Sequence, residues 1–193
     1  SEEPVDSAEV ELELQTAADV QVEVTRLQWL TALTKIFNMK VDDNNYPDNY
    51  YSDISSSDSC YKDVMLAAEF GLIDVEPGDE LRPNDAATRE FAAHSLNACL
   101  KFQLTDKSYT FNEAANVTYA DDIQVAIDRG WFQLTNGNIL PEQAVTEEEK
   151  TTMLADAQEQ LKMTRIDANY NNSYQLKGDV IIVPKGTEGM MSA

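Results

Sequence analysis

Few residues in this chain have the type and spacing that bond-making chemistry requires. The single histidine, His94, stands between Ala93 and Ser95 in a helical stretch, with no obvious cysteine or serine partner for it to activate. Glu147, Glu148 and Glu149 are consecutive, so on a helix their carboxylates point in different directions. The first turn, where the macrodipole favours negative charge, accounts for them without catalysis. Asp42, Asp43, Asn44, Asn45, Asp48 and Asp53 form an oxygen-rich loop, but it lacks the glycine and bidentate glutamate of a calcium-binding hand, so a solvated loop is expected. Cys60 and Cys99 are 39 positions apart and match no zinc spacing; two free thiols are at least as good a reading as a disulfide. There is no Gly-rich phosphate loop, nucleophile elbow or His-Glu-x-x-His motif. No enzyme, cofactor or metal site is expected.

The elements that surround these residues read as helical. Thr25 is placed to cap a helix whose apolar positions Leu27, Leu30, Leu33, Ile36 and Phe37 recur every three or four residues. A short helix is expected over 61–70, with Gly71 ending it, and a Pro-bearing loop over 74–85. Thr88 opens a second long helix through Phe91, Leu96 and Leu100. A short helix over 121–129 is stopped by Gly130, and Thr146 opens a last helix running to about Met163. Trp29 and Trp131 are expected in the core, and Tyr46, Tyr50 and Tyr51 at its edge. Alternation over Val10, Leu12 and Leu14, and the run 179–184, suggest minor strands near either end.

These elements repeat. Asp63, Val64, Ala67 and Gly71 align with Asp122, Ile123, Ala126 and Gly130 at an offset of 59, whereas Leu81, Pro83 and Thr88 align with Ile139, Pro141 and Thr146 at 58. Thr25-Arg26 stands 63 residues before Thr88-Arg89, a more distant copy of the helix opening. Neither helix of such a pair is stable alone, so each must bury its apolar face on its neighbours.

The middle copy carries a specific resemblance. Tyr51-Ser52-Asp53-Ile54, then Gly71-Leu72-Ile73, Leu81-Arg82-Pro83-Asn84-Asp85 and Thr88-Arg89-Glu90-Phe91-Ala92 resemble an S-layer homology module, which reads F-x-D-V, short helix, G-I-I, turn, F-R-P-N, and I-T-R-A-E-F. Val24 to Trp29 resembles the last block of a preceding module, and Thr118 to Leu161 a third. The resemblance implies a mainly α architecture of tandem helical-hairpin repeats in a pseudo-threefold bundle. It also implies a bacterial cell-surface module that holds a larger protein to the wall by noncovalent binding of secondary cell-wall polysaccharide, often at pyruvylated sugars. Arg26 and Arg89 then become the candidate ligand contacts, since a guanidinium fork meets a carboxylate bidentately. Thr25, Thr88, Gly71 and Gly130 are the motif positions around them. The third copy has Glu147 where the family has arginine and Lys150 where it has phenylalanine, and the middle copy is one residue short after Arg89. The family's short-helix tryptophan would fall near Ser59 and is absent.

The expected organisation is an acidic segment at 1–18, a partial repeat at 19–50, a repeat at 51–105, a degenerate repeat at 106–165 and a linker-like segment at 166–193 leading to a further domain. Residues 1–6 lack the basic and apolar regions of a signal peptide. The net charge of −21 lacks the basic footprint of a nucleic-acid binder, and no stretch is apolar enough to span a membrane. The partner expected is a cell-wall polysaccharide or a surface-layer protein. The second reading is a degenerate repeat kept as a spacer or interaction scaffold in a surface assembly. The two differ at the arginines: a binding module exposes Arg26 or Arg89 in a concave site, and a spacer pairs them with local carboxylates.

Overall fold

The computed structural model describes residues 23–40 and 46–168. Five helices make up its regular structure: α1 Arg26–Ile36, α2 Tyr61–Glu69, α3 Arg89–Leu100, α4 Ala120–Asp128 and α5 Glu147–Ala168. Among the described residues there is no sheet, only isolated antiparallel bridges, so the expectation of a mainly α fold holds. The two suspected strands and residues 41–45 of the acidic loop lie outside the described residues.

Each long helix starts where the sequence places a threonine. Thr25, Thr88 and Thr146 accept the amides of Gln28, Phe91 and Glu149, all at 3.1 Å. Gln28 and Glu149 return the bond to the threonine amides at 2.9 and 3.2 Å, completing a capping box in α1 and α5. Phe91 stands at the same place in α3 and cannot. At the caps the residue level with Phe91 is Glu149, while Lys150, at the family's phenylalanine position, is level with Ala92. The short helices stop at Gly71 (φ +74°) and Gly130 (φ +72°), a backbone conformation that glycine adopts without strain.

The segments entering the long helices bind one another in a ring. The Val24 amide donates to the Val145 carbonyl, Val145 to Ala87, and Ala87 back to Val24, at 3.1, 2.8 and 2.8 Å, and all three residues are fully buried. Beyond the ring, Arg26 and Leu27 donate their amides to Asp85 and Pro83, and Arg89 and Glu90 donate theirs to Gln143 and Pro141. These are first-turn amides that have no partner within their own helix, so the second and third copies each satisfy the orphaned amides of the copy before. A threefold-like arrangement follows from that exchange.

Around this hub α2 packs on α1, α4 on α3, and α5 against both α1 and α3. Trp29 and Trp131 are 0% and 2% exposed, as expected of core residues. Their indole N–H groups donate to Ser95 Oγ and Asp156 Oδ2, both at 2.7 Å, so neither leaves a buried donor unmatched. Cys60 and Cys99 are free thiols, and burial raises the pKa of both.

Candidate intermodule site

The third module starts earlier than its recognisable motif. Asp53 accepts the amides of Leu81 (2.9 Å) and Arg82 (2.7 Å) through separate carboxylate oxygens. Glu113 accepts those of Ile139 (3.1 Å) and Leu140 (3.0 Å) in the same way. Arg82 and Leu140 both sit in the left-handed region, at φ +57° and +54°. The carboxylate bonds thus hold a conformation that costs a non-glycine residue roughly 1–2 kcal/mol. Phe111-Asn112-Glu113 is therefore the third module's counterpart of Tyr51-Ser52-Asp53. The longer glutamate in place of aspartate hides it in the sequence. Burial raises the Glu113 carboxyl, but the amides of Leu140 and Ile139 outweigh it and hold the group below its ordinary value.

These clamped loops carry the acceptors for the first side chains of α1 and α3. Arg26 Nε donates to the Leu81 carbonyl at 2.9 Å, and its guanidinium lies 4.1 Å from the centroid of the Phe91 ring. The residue is half-buried, and no carboxylate lies at ion-pair distance from it among the described residues. Burial, and secondarily the charge of Arg82, lower its pKa, against the opposing pull of Asp85 and Asp53. It remains a cation at any ordinary pH. Arg82, exposed at the rim, makes a 3.7 Å pair with Asp85.

Arg89 has the equivalent backbone place and a different fate. Its Nη1 donates to the Ile139 carbonyl at 2.7 Å, matching Arg26 on Leu81. Its Nε (3.1 Å) and Nη2 both meet Glu149 Oε1, and the side chain is only 8% exposed. Glu147, at the third such position, is exposed and 3.6 Å from Lys150. The three modules thus present an uncommitted arginine, a neutralised one and a carboxylate.

The other residues marked in the sequence are placed plainly. Thr25 and Thr88 are helix caps whose hydroxyls accept amides; Gly71 and Gly130 are helix stops, exposed and away from the Arg26 guanidinium's contacts. Asp53, considered for a cation loop, uses both oxygens on amides. His94 stacks on Tyr119 with centroids 3.6 Å apart and meets Asp122 at 2.7 Å, binding α3 to α4 as a packing residue. Sequence reasoning missed Phe91 as a partner of Arg26 and Glu149 as a partner of Arg89. The register of the capping threonines, three residues upstream of each, is the signal that could have found both.

A clamped loop, a capped arginine and a ring of exchanged backbone bonds define the middle copy, and a known family describes it. Residues 50–92 match the S-layer homology domain. No curated protein matches the chain. S-layer homology domains are non-catalytic modules of cell-surface proteins, known for anchoring to the wall. The matched segment starts at Tyr50 and ends in the first turn of α3, so it spans the Asp53 clamp, the Leu81 carbonyl and Phe91. Arg26 reaches into this S-layer homology segment from the preceding copy. Near Ser59, where the family has tryptophan, lies an open cavity of about 320 Å³ lined by Tyr46, Ser56, Asp58, Ser59, Tyr61 and Lys62. Among the described residues no helix is long and apolar enough to cross a membrane.

Proposed function

We propose that this chain is a cell-surface module that anchors a larger bacterial protein to the wall by noncovalent binding of an anionic secondary cell-wall polysaccharide at the seam around Arg26. One observation carries the reading. Arg26 keeps a half-buried guanidinium, oriented by the Leu81 carbonyl and the Phe91 face, with no carboxylate at ion-pair distance among the described residues. Such a cation is partly desolvated and held in one orientation, so a sugar carboxylate gains more from it than from a mobile surface lysine. Phe91 stacks on the guanidinium and so holds it in place for the ligand. The module performs no catalysis.

The net charge of −21 works against any polyanion at long range, and salt screens that repulsion beyond about 10 Å at 0.1 M. Binding that is retained as salt rises to that level is the expected signature of a local arginine site on an acidic surface. The spacer reading is favoured by Arg89, whose pairing with Glu149 is what a scaffold would show.

Cosedimentation with Gram-positive wall sacculi separates the two. Half of each preparation is stripped of secondary polymer by hydrofluoric acid, and Arg26→Ala and Arg89→Ala run beside the parent chain. Pelleting that disappears on stripping and in Arg26→Ala supports the anchor. Failure of the folded chain to pellet with any wall type, its host's included, sinks it and leaves the scaffold.

A further inference from the structure

The loop that leads into α2 leaves a hole at a place that the third copy fills. Counted from the clamping carboxylates Asp53 and Glu113, Ser59 stands where Tyr119 does, six residues on in each case. The Tyr119 ring stacks on His94 at 3.6 Å and its hydroxyl donates to Asp74, so the space there is taken. Ser59 has no ring, and the open cavity of about 320 Å³ lies beside it, lined by Tyr46, Ser56, Asp58, Ser59, Tyr61 and Lys62. None of these residues is among the groups that orient Arg26, which are Leu81 and Phe91.

The walls are set before any ligand arrives. Asp58 accepts the Ser55 amide at 2.8 Å and donates its own amide to the Ser55 carbonyl at 2.9 Å; the Tyr61 amide donates to the Asp58 carbonyl at 3.0 Å. The Tyr61 hydroxyl donates to the Pro47 carbonyl, which pins that ring. A wall already ordered costs a ligand less to bind. What remains unspent is polar. The hydroxyls of Ser56 and Ser59 and the Lys62 ammonium have no hydrogen-bond or ion-pair partner among the described residues, and Asp58 keeps its second carboxylate oxygen. One carboxylate and one ammonium balance, so the lining has no net charge on a chain that carries −21. The volume is at the small end of the roughly 300–1,000 Å³ of small-molecule sites, room for one ring rather than a chain. Tyrosine faces beside hydroxyls, a free acceptor and a free donor suit a ring that is apolar on its C–H face and hydroxylated at its edge.

We propose that this cavity is a carbohydrate subsite for one neutral pyranose ring, packed on Tyr46 and Tyr61 with its hydroxyls on Asp58, Ser59 and Lys62. It is separate from the seam at Arg26 and takes an uncharged sugar. A wall polymer carrying both kinds of sugar is then held at two places, the one part of the inference that rests on the proposed function.

The test titrates methyl glucoside and methyl N-acetylglucosaminide, both uncharged, into the isotope-labelled full chain and follows the amide resonances of residues 55–62. A single ring on an open site should bind with a Kd on the order of millimolar and shift the amides around Ser59 and Lys62. Ser59→Tyr, which copies the filling residue of the third copy, should abolish the shifts. Tyr46→Ala should weaken binding about tenfold by removing one stacking face, and Arg26→Ala should leave it unchanged. If Ser59→Tyr does not fold, Tyr46→Ala and Lys62→Ala carry the same comparison. No shift from either glycoside well above the millimolar range, or shifts that survive in the folded variants, overturns the subsite. Shifts from indole but from neither glycoside also overturn it and make the cavity a socket for an aromatic side chain of a protein partner. Loss of neutral-sugar binding in Arg26→Ala overturns its separateness. Absence of wall pelleting with the shifts present removes the anchor at Arg26 and leaves the subsite standing.

Discussion

Replacing Asp53 by alanine should loosen the loop that orients Arg26, and the structure sets the size of the effect. Asp53 accepts two amides, one of them the partly buried Leu81 N–H and the other the exposed Arg82 N–H. A hydrogen bond to a charged group contributes about 1.5–3 kcal/mol net when shielded. Water can replace the bond at Arg82, so its share is small. The Leu81 amide cannot be rehydrated freely, because the Leu81 side chain is fully buried and holds the loop down. The expected loss for Asp53→Ala is therefore about 2 kcal/mol. Asp53→Asn should lose about half of that, since its amide oxygen can serve one N–H and its NH2 faces the other.

Urea unfolding of both variants measures the loss, and hydrogen exchange at the Leu81 amide locates it. Glu113→Ala should also destabilise the chain, and independently of Asp53→Ala, because the two clamps share no partner. Wall binding should fall in Asp53→Ala and be unchanged in Glu113→Ala, as only the first clamp holds the carbonyl that Arg26 uses. An Asp53→Ala chain within about 0.5 kcal/mol of the parent, with Leu81 still protected from exchange, would refute the clamp.

The two arginines should separate stability from binding. Arg89→Ala leaves Glu149 buried without its partner and should cost about 3 kcal/mol, while Arg26→Ala, which breaks no ion pair, should cost about 1 kcal/mol; denaturant melts give both values. The phenols of Tyr51 and Tyr119 are each pushed up to about 12, mainly by burial, with Tyr50 adding at Tyr51 and Asp74 at Tyr119. Both groups hold their protons more tightly when folded, so their contribution is complete below the unfolded value near 10 and is lost as pH rises toward 12. Circular dichroism and phenolate absorbance followed together should show ionisation and unfolding in one transition within that window. Phenolate appearing near pH 10 in a chain that stays folded would refute it.

Helix positions and caps were legible in the sequence because they depend on local signals: a threonine before an apolar period, a glycine after one. All five described helices start or stop at such residues. The helical-repeat organisation was legible because Pro83 and Pro141, and Gly71 and Gly130, recur at nearly fixed offsets. The start of the third module was not legible, since a glutamate can do an aspartate's work on a longer stem and Glu113 matches no motif letter. The fate of Arg89 was not legible either. Identical Thr-Arg pairs at 25–26 and 88–89 imply identical sites, and the difference lies in a residue 60 positions downstream. Such a contact exists only after three modules close on one another, and no local pattern encodes it.

The third copy also differs where a short helix would pack. Counting from the capping threonines, α1 has Leu30, Thr34 and Phe37 buried at the positions where α3 has Ala93, Asn97 and Leu100. At those positions α5 has Thr151, Ala155 and Gln158, all exposed. That face of α5 is thus small and polar and costs little to leave in water. Its apolar side, through Met153 and Ala157, is fully buried. Glu147 and Glu149 belong to this same helix, so the reversed charge, the ion pair to Arg89 and the exposed face all lie on one element. The third copy supplies Val145, Pro141 and Gln143 to the hub, and with them the acceptors that the first turn of α3 needs. It keeps the backbone part of the module's role, while its first helical side chain, Glu147, reverses the charge found at Arg26 and Arg89.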